Sequence, residues 1–190
     1  YYVNLYKMTV HSSITNRAMH MASQSRRRSR MGAVMFNKRR IFGAGFNRDG
    51  KYVKGRFMIG AHAEKDVYAK TMFQRSQKGR GSNISYDLLV IRMGRISPTG
   101  NQTLKSSKPC HHCIQFIKNL PGIRNVYYSD TDGEIVRESA REIQNDHMSA
   151  GYRFQSRTCC TECDGPIGDD DDDDQDEHPA KLYISKYEID

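Results

Sequence analysis

The stretch IGAHAEKDVY, Ile59 to Tyr68, sets a histidine and a glutamate two residues apart at what reads as the mouth of a helix. Its counterpart is SKPCHHC, Ser107 to Cys113. Pro109 suits a helix start because its missing N–H needs no partner there, and Cys110 and Cys113, three apart, then share one face. Two thiolates can grip one ion. Their place in a first helical turn lowers the thiol pKa, since the positive end of the helix dipole favours the anion and zinc favours it further. His62 offers a neutral nitrogen from the start of the other helix. Three protein ligands leave a tetrahedral zinc one open position, the arrangement of catalytic rather than structural sites.

Glu64 is then the partner that does not bind the metal. Two thiolates neutralise the charge of Zn²⁺, so water at the metal is acidified less than in an all-histidine site and gains from a nearby carboxylate base. On an ideal helix His62 and Glu64 project about 200° apart, so both serve one site only at a frayed first turn. Ala63, small and between them, allows a ligand to approach closely.

Outward from these two motifs the chain alternates strands and helices. Ser13 to Ser25 reads as a helix followed by RRRSR, and MGAVMFN (Met31 to Asn37) and RIFGAGFN (Arg40 to Asn47) read as a hairpin turning at Lys38 and Arg39. Asn47 to Gly60 is turn-rich, and a helix is expected from about Ala61 to Gln74. YDLLVIRM (Tyr86 to Met93) has the apolar density of a central strand, Ser97 to Lys108 reads as loop, and a helix from Cys110 to Leu120 is stopped by Pro121 and Gly122. NVYYS (Asn125 to Ser129) is another strand. Asp130 to Gly133 offers Asp-Gly turn chemistry, so Glu134 to Arg137 can run back antiparallel. This order predicts an α/β fold, a three-layer α/β/α sandwich around a five-stranded mixed sheet.

The expected organisation is a catalytic domain over residues 1–150, a cysteine-containing and acidic insertion or loop over 151–179, and a last strand over 180–190 that returns to the domain. The 190 residues suffice for one such domain. Five cysteines, Cys110, Cys113, Cys159, Cys160 and Cys163, are odd in number and tightly clustered, which suits metal binding in a reducing compartment better than a disulfide framework. No apolar run approaches membrane-spanning length and nothing resembles a signal peptide, so an intracellular protein, cytoplasmic or nuclear, with no membrane partner is expected.

The formal charge is +8, yet eight of the 22 acids lie in one run, Asp169 to Asp174 with Asp176 and Glu177. Outside it stand 30 bases against the 14 acids that remain. Such a body suits a phosphorylated or polyanionic partner, and the acidic run could shield the same basic surface from within; plain solubilising charge is the bland alternative. RRRSR reads first as solvated charge at a helix end and second as a phosphate site.

Taken in order from Met31 to Arg137, these pieces resemble the zinc-dependent cytidine and deoxycytidylate deaminase superfamily: the GAV strand, the GAGFN strand end, the HAE helix, the central strand, the PCxxC helix and NVYYS. H-x-E followed by P-C-x-x-C is the motif already established for zinc deaminases. The resemblance implies that His62, Cys110 and Cys113 hold one catalytic zinc, that Glu64 shuttles the proton, that Asn47 contacts the sugar and that the Ala63 N–H meets the pyrimidine carbonyl. It also implies hydrolytic attack at C4 of cytosine, with Glu64 protonating N3 and then the amino group, so that ammonia leaves and uracil remains. Asn47 read on its own has a turn residue at a strand end as its lesser alternative. A lone HxE is usually a surface pair and a lone CxxC often a structural half-site, but their combination points to the catalytic reading.

Substrate is where the indicators diverge. Family members acting on deoxycytidylate, tRNA or DNA usually follow the NVYYS-type strand with a helix and a parallel strand, whereas free-cytidine deaminases use a hairpin, which SDTDGEIV resembles. The surplus of arginine argues for phosphate. A cytosine nucleoside or nucleotide is the expected substrate; the alternatives are a deaminase acting on RNA or single-stranded DNA, and a catalytically inactive, zinc-stabilised module that binds nucleic acid or assembles with other proteins. A homo-oligomer is left open. So is a second, structural zinc at Cys159, Cys160 and Cys163 with His147 or His178, against free thiols in a loop.

Overall fold

A computed structural model describes residues 10–49, 51–53, 56–58, 60–76, 84–96, 102–149 and 153. Helix α1 (Ser12–Ser23) buries Ile14, Ala18, Met21 and Ala22, the stripe of an amphipathic helix, and His11 caps it by accepting the Ser13 N–H on Nδ1 at 3.3 Å. Strands β1 (Arg30–Asn37) and β2 (Arg40–Phe46) form the expected hairpin, with Lys38 in the turn at φ +52°. Where the sequence predicts only a turn-rich connection, β3 (Lys51–Val53) and β4 (Arg56–Met58) pair antiparallel as a small separate sheet. Helix α2 (Ala63–Ser76) follows, then β5 (Tyr86–Ile96) and β6 (Gln102–Lys105). Helix α3 (His111–Lys118), β7 (Ile123–Ser129) and β8 (Ile135–Ser139) complete the described elements.

The main sheet runs β2-β1-β5-β7-β8, and β5 and β7 are its parallel pair. The remaining pairs are antiparallel, including β7 with β8, so the hairpin expected after NVYYS is present. The five-stranded mixed sheet stands as expected, with a sixth strand, β6, paired to the outer end of β5 in what the sequence predicts as loop. Four residues that are alternately half-buried and exposed carry too little apolar signal to announce a strand.

Side chains alternate across each central strand, and that alternation builds the layers. Ala33 and Met35 of β1, Leu88 and Val90 of β5, and Val126 and Tyr128 of β7 join a core with Val67 of α2 and Ile114 and Ile117 of α3. Their neighbours Val34, Phe36, Leu89, Ile91 and the half-buried Tyr127 face Ile14 and Ala18 of α1 instead. Hence α1 covers one face and α2 with α3 the other, the three-layer α/β/α arrangement. Two glycines permit the close packing. A Cβ on Gly32 would lie 2.1 Å from the Ala18 carbonyl oxygen of α1, and one on Gly45 would lie 2.6 Å from the Val67 nitrogen of α2.

The insertion expected over 151–179, with Cys159, Cys160, Cys163 and the acidic run, lies outside the described residues save for Arg153, as does the strand expected over 180–190. Among the described residues no helix is long and apolar enough to cross a membrane.

Candidate metal centre

In open sheets with parallel strands, ligands bind beyond the carboxyl ends of those strands. The chain places SKPCHHC there. Ser107 is buried and pinned to the last residue of β7: its N–H donates to the Ser129 carbonyl at 2.8 Å, and its Oγ accepts the Ser129 N–H and donates to the Val90 carbonyl of β5, each at 2.8 Å. Three residues on, Cys110 is the N-cap of α3, its carbonyl accepting the Ile114 N–H at 2.9 Å. The expected Pro109 start is therefore shifted: the proline sits just outside the helix, where its fixed φ and missing N–H still do no harm. Cys110 makes no side-chain capping bond. Its Sγ points to the site rather than back onto the helix.

His62 holds the same position on α2. Its carbonyl accepts the Asp66 N–H at 3.0 Å and the helix begins at Ala63, so His62 stands outside the helical phase. This resolves the angular conflict between His62 and Glu64. The ligand atoms of His62, Cys110 and Cys113 all lie within 4.8 Å of one another. His62 Nδ1 is 3.2 Å from Cys113 Sγ and 3.6 Å from Cys110 Sγ. Tetrahedral zinc with ordinary Zn–N and Zn–S bonds separates such atoms by roughly 3.5 Å, so the set fits that ion. Cys110 and Cys113 are both buried and free of disulfides.

The protonation of this group is coupled. With no metal, Cys110 is held as thiolate, its pKa lowered to about 3, chiefly by the hydrogen bond from the Cys113 thiol and then by His62. Cys113 is correspondingly pushed up, because it donates that bond and because it is buried. His62 is raised, above all by its hydrogen bond to Cys110. Glu64 is only 2% exposed, its Oε2 has no hydrogen-bond partner, and burial raises its pKa. An orphaned carboxylate oxygen beside a chelating set is the mark of a group that awaits a ligand.

Ala63 is fully buried at the first position of α2, where helix N–H groups have no intrahelical acceptor. Asn47 is also buried, and its amide is largely occupied: Oδ1 accepts the Met31 N–H at 2.8 Å and Nδ2 donates to the Ser29 carbonyl at 2.6 Å. One Nδ2 proton remains. The next residue's N–H, that of Arg48, donates to the Ala61 carbonyl at 2.9 Å, which ties the end of β2 to the start of α2 one residue before His62. His111 and His112 stack edge to face at 5.4 Å, and burial lowers the His112 pKa. His147 is exposed and holds the His111 N–H through its backbone carbonyl.

Two fixtures were not foreseen in the sequence. Asp66, buried on α2, accepts from the Phe46 N–H at 3.1 Å, from Lys70 at 2.6 Å and from Arg48, locking β2 against the helix that bears His62 and Glu64. Its first-turn position was visible, but its partners were not. The second is the Ser107 and Ser129 pair, for which two isolated serines carry no signal.

A mixed sheet covered on both faces, with a His-Cys-Cys set and a buried glutamate at two helix starts, marks an α/β protein of the class that can hold a metal ion beside a buried acid. The pattern describing the cytidine and deoxycytidylate deaminase zinc-binding region matches residues 8–130, and the chain belongs to that family. No curated protein sequence matches it significantly. Among solved structures it is similar to dCMP deaminase of the cyanophage S-TIM5 in apo form, at 18% identity over 63% of this chain and 82% of that one, with a TM-score of 0.41. The same enzyme in complex with dCMP and dUMP matches at 16% identity, 65% and 85% coverage and 0.40. Cytidine deaminase from Burkholderia pseudomallei matches at 16% identity over 74% of this chain and all 100% of that one, with a TM-score of 0.48.

Proposed function

We propose that the protein removes the 4-amino group of a cytosine nucleoside or nucleotide by zinc-dependent hydrolysis, releasing ammonia and the uracil product. The observation that carries this reading is Glu64, a buried carboxyl with an unpartnered Oε2 beside the three ligand atoms of His62, Cys110 and Cys113. His62, Cys110 and Cys113 would hold zinc, which would supply the Lewis acidity that makes water a usable nucleophile. Glu64 Oε2 takes the proton from that water and delivers it to ring N3 as the C4–O bond forms. The same carboxyl then takes the remaining proton from the C4 hydroxyl and passes it to the amino nitrogen, so that C4=O forms as the C4–N bond breaks and ammonia leaves. A pKa raised by burial suits both halves of the task, because the carboxyl holds a proton more readily than an ordinary glutamate and so can deliver one as well as take one. The Ala63 N–H orients the base through the pyrimidine carbonyl, and the remaining Nδ2 proton of Asn47 reaches the sugar.

Within this reading a mononucleotide is favoured. Ser25 Oγ donates to the Asn47 carbonyl at 2.9 Å, and Asn47 in turn bonds Ser29, so the segment bearing Arg26, Arg27 and Arg28 is fastened to the residue proposed for the sugar. Arg27 is partly neutralised by Asp49 at 3.2 Å. The β7–β8 hairpin is the feature that the family resemblance links to free cytidine; it argues against a polynucleotide, and the phosphate rests on the arginines alone. Thiolate ligands also suit a reducing, intracellular compartment. The test is a panel of cytosine, cytidine, deoxycytidine, their monophosphates and a short oligonucleotide, scored for ammonia release by the zinc-loaded protein. Release from none of them sinks the reading, and faster release from the oligonucleotide than from any monomer replaces the mononucleotide with a polynucleotide.

A further inference from the structure

The turn that carries Cys110 is held from outside the region that defines the family. The family match ends at residue 130, yet three residues beyond it grip the backbone or side chains on either side of Cys110. Asn145 Nδ2 donates to the Pro109 carbonyl at 3.0 Å. The His111 N–H donates to the His147 carbonyl at 2.9 Å, and the His147 N–H donates to Asn145 Oδ1 at 3.0 Å, which closes the clamp on itself. On the near side Lys108 Nζ donates to Glu138 Oε1 of β8 at 2.8 Å, and the Tyr128 hydroxyl donates to the same oxygen.

We infer that the segment from Glu138 to His147 is a brace that presets the Cys110 turn for its metal, with Asn145 as its principal positioning residue. The inference rests on His62, Cys110 and Cys113 holding zinc. Cys110 lies at the N-cap, where backbone dihedrals are not fixed by helical hydrogen bonds through its own N–H, and it has no side-chain cap. An N-cap cysteine that must aim its sulfur at a metal cannot also use that sulfur to satisfy the helix start. Another group has to do so. The His147 carbonyl satisfies the His111 N–H, and the Asn145 amide fixes the Pro109 carbonyl, so the residues immediately before and after Cys110 are both anchored. Ordering the turn before the metal arrives removes that cost from binding and slows release, since the thiolate cannot swing away without breaking the clamp. Asn145 is able to do this because its amide offers a donor and an acceptor at once, which neither Asp nor a hydrophobic residue does.

The experiment uses the full chain loaded with zinc and follows metal transfer to excess chelator, well below the unfolding temperature. A parallel cobalt(II) form reports ligand geometry by its visible absorption. Asn145→Ala is expected to release zinc about tenfold faster than wild type, as loss of outer partners does at other metal sites, and to weaken the tetrahedral cobalt bands. Thermal unfolding of the metal-free variant should stay close to that of the metal-free wild type, which separates positioning from general stability. Asp146→Ala, an exposed neighbour in the same segment, should behave as wild type in every readout. Asn145→Asp retains the acceptor for His147 but loses the donor to Pro109, so it should also release zinc faster, and it decides the matter by the same criterion if the alanine variant fails to fold. Release within twofold of wild type overturns the brace while leaving the zinc site intact. A wild-type protein that takes up no zinc overturns the functional reading, and the brace with it.

Discussion

Replacing Glu64 by glutamine should have two opposite effects, one on turnover and one on stability. The carboxyl is 2% exposed with Oε2 unpartnered, and burial raises its pKa above that of an ordinary glutamate, about 4.3. Between that value and its own raised pKa, the folded chain holds a proton that the unfolded chain has released. Stability of the metal-free protein therefore falls as pH rises through this window, and the loss persists above it. Glutamine has no charge to desolvate, although its Nε2 inherits the unpartnered position. The gain is thus only the excess cost of an unpartnered charged group over an unpartnered neutral one, on the order of 1–2 kcal/mol above the window. For a chain of this size each kcal/mol moves the midpoint by about 2–4 °C. Metal-free Glu64→Gln should melt several degrees above metal-free wild type at pH 8, and the two curves should meet near pH 4. The zinc-loaded variant should keep its metal and lose turnover by about 10²–10⁴-fold, because an amide cannot accept the proton. A variant no more stable than wild type at pH 8 would refute the burial argument, and one with unchanged ammonia release would remove Glu64 from the chemistry.

The other expectations are simpler. Cys113→Ala should abolish tight zinc binding; metal analysis of wild type should give one zinc per chain, and a second equivalent would implicate Cys159, Cys160 and Cys163. Asp66→Ala should cost about 1–3 kcal/mol in urea unfolding, chiefly from the unsatisfied Phe46 N–H, because Arg48 and Lys70 are 52% and 37% exposed and can turn to solvent. The double variant Arg26→Ala, Arg27→Ala should raise KM for a cytosine monophosphate by about tenfold while leaving the nucleoside unaffected, the loss expected of one charge-assisted contact. If the same residues instead track a polynucleotide, binding should fall with salt at a log–log slope of roughly 0.7 for each phosphate engaged.

What was legible in the sequence was chemistry concentrated in consecutive residues. His62, Ala63 and Glu64 are adjacent, as are Pro109 to Cys113, and each set lies at a helix start where spacing translates directly into geometry. The central strands were equally plain because Ala33 to Phe36 and Leu88 to Ile91 are buried on both faces and therefore uniformly apolar. Strands β3, β4 and β6 were not legible, since three or four residues at the rim carry little hydrophobic pattern. Nor was the clamp on Cys110. Asn145 and His147 act through backbone atoms, and a carbonyl or N–H that happens to meet its partner leaves no trace in residue identity.

The placement of both motifs at helix N-termini raises an electrostatic problem that the ligand set itself answers. Each N-terminus carries the equivalent of roughly half a positive charge, so two of them aimed at one point repel a dication. Thiolates reverse that field, and the helix ends favour the thiolates. In the metal-free protein the two cysteines share one proton, with Cys110 ionised and the Cys113 thiol donating to it. Loading zinc must expel that proton, so uptake weakens as pH falls. Once both sulfurs are ionised, they cancel the charge of the metal, and the carboxyl beside them gains no strong cation to hold it as a fixed anion. Asp66, two residues along the same helix, is buried as deeply but is committed to Arg48, Lys70 and a backbone N–H. A carboxylate bound on three sides has no free oxygen to present to a substrate. Glu64, with Oε2 unpartnered and its pKa raised by burial, has one, and that contrast between two acids on one helical turn is the physical reason the proton is proposed for Glu64.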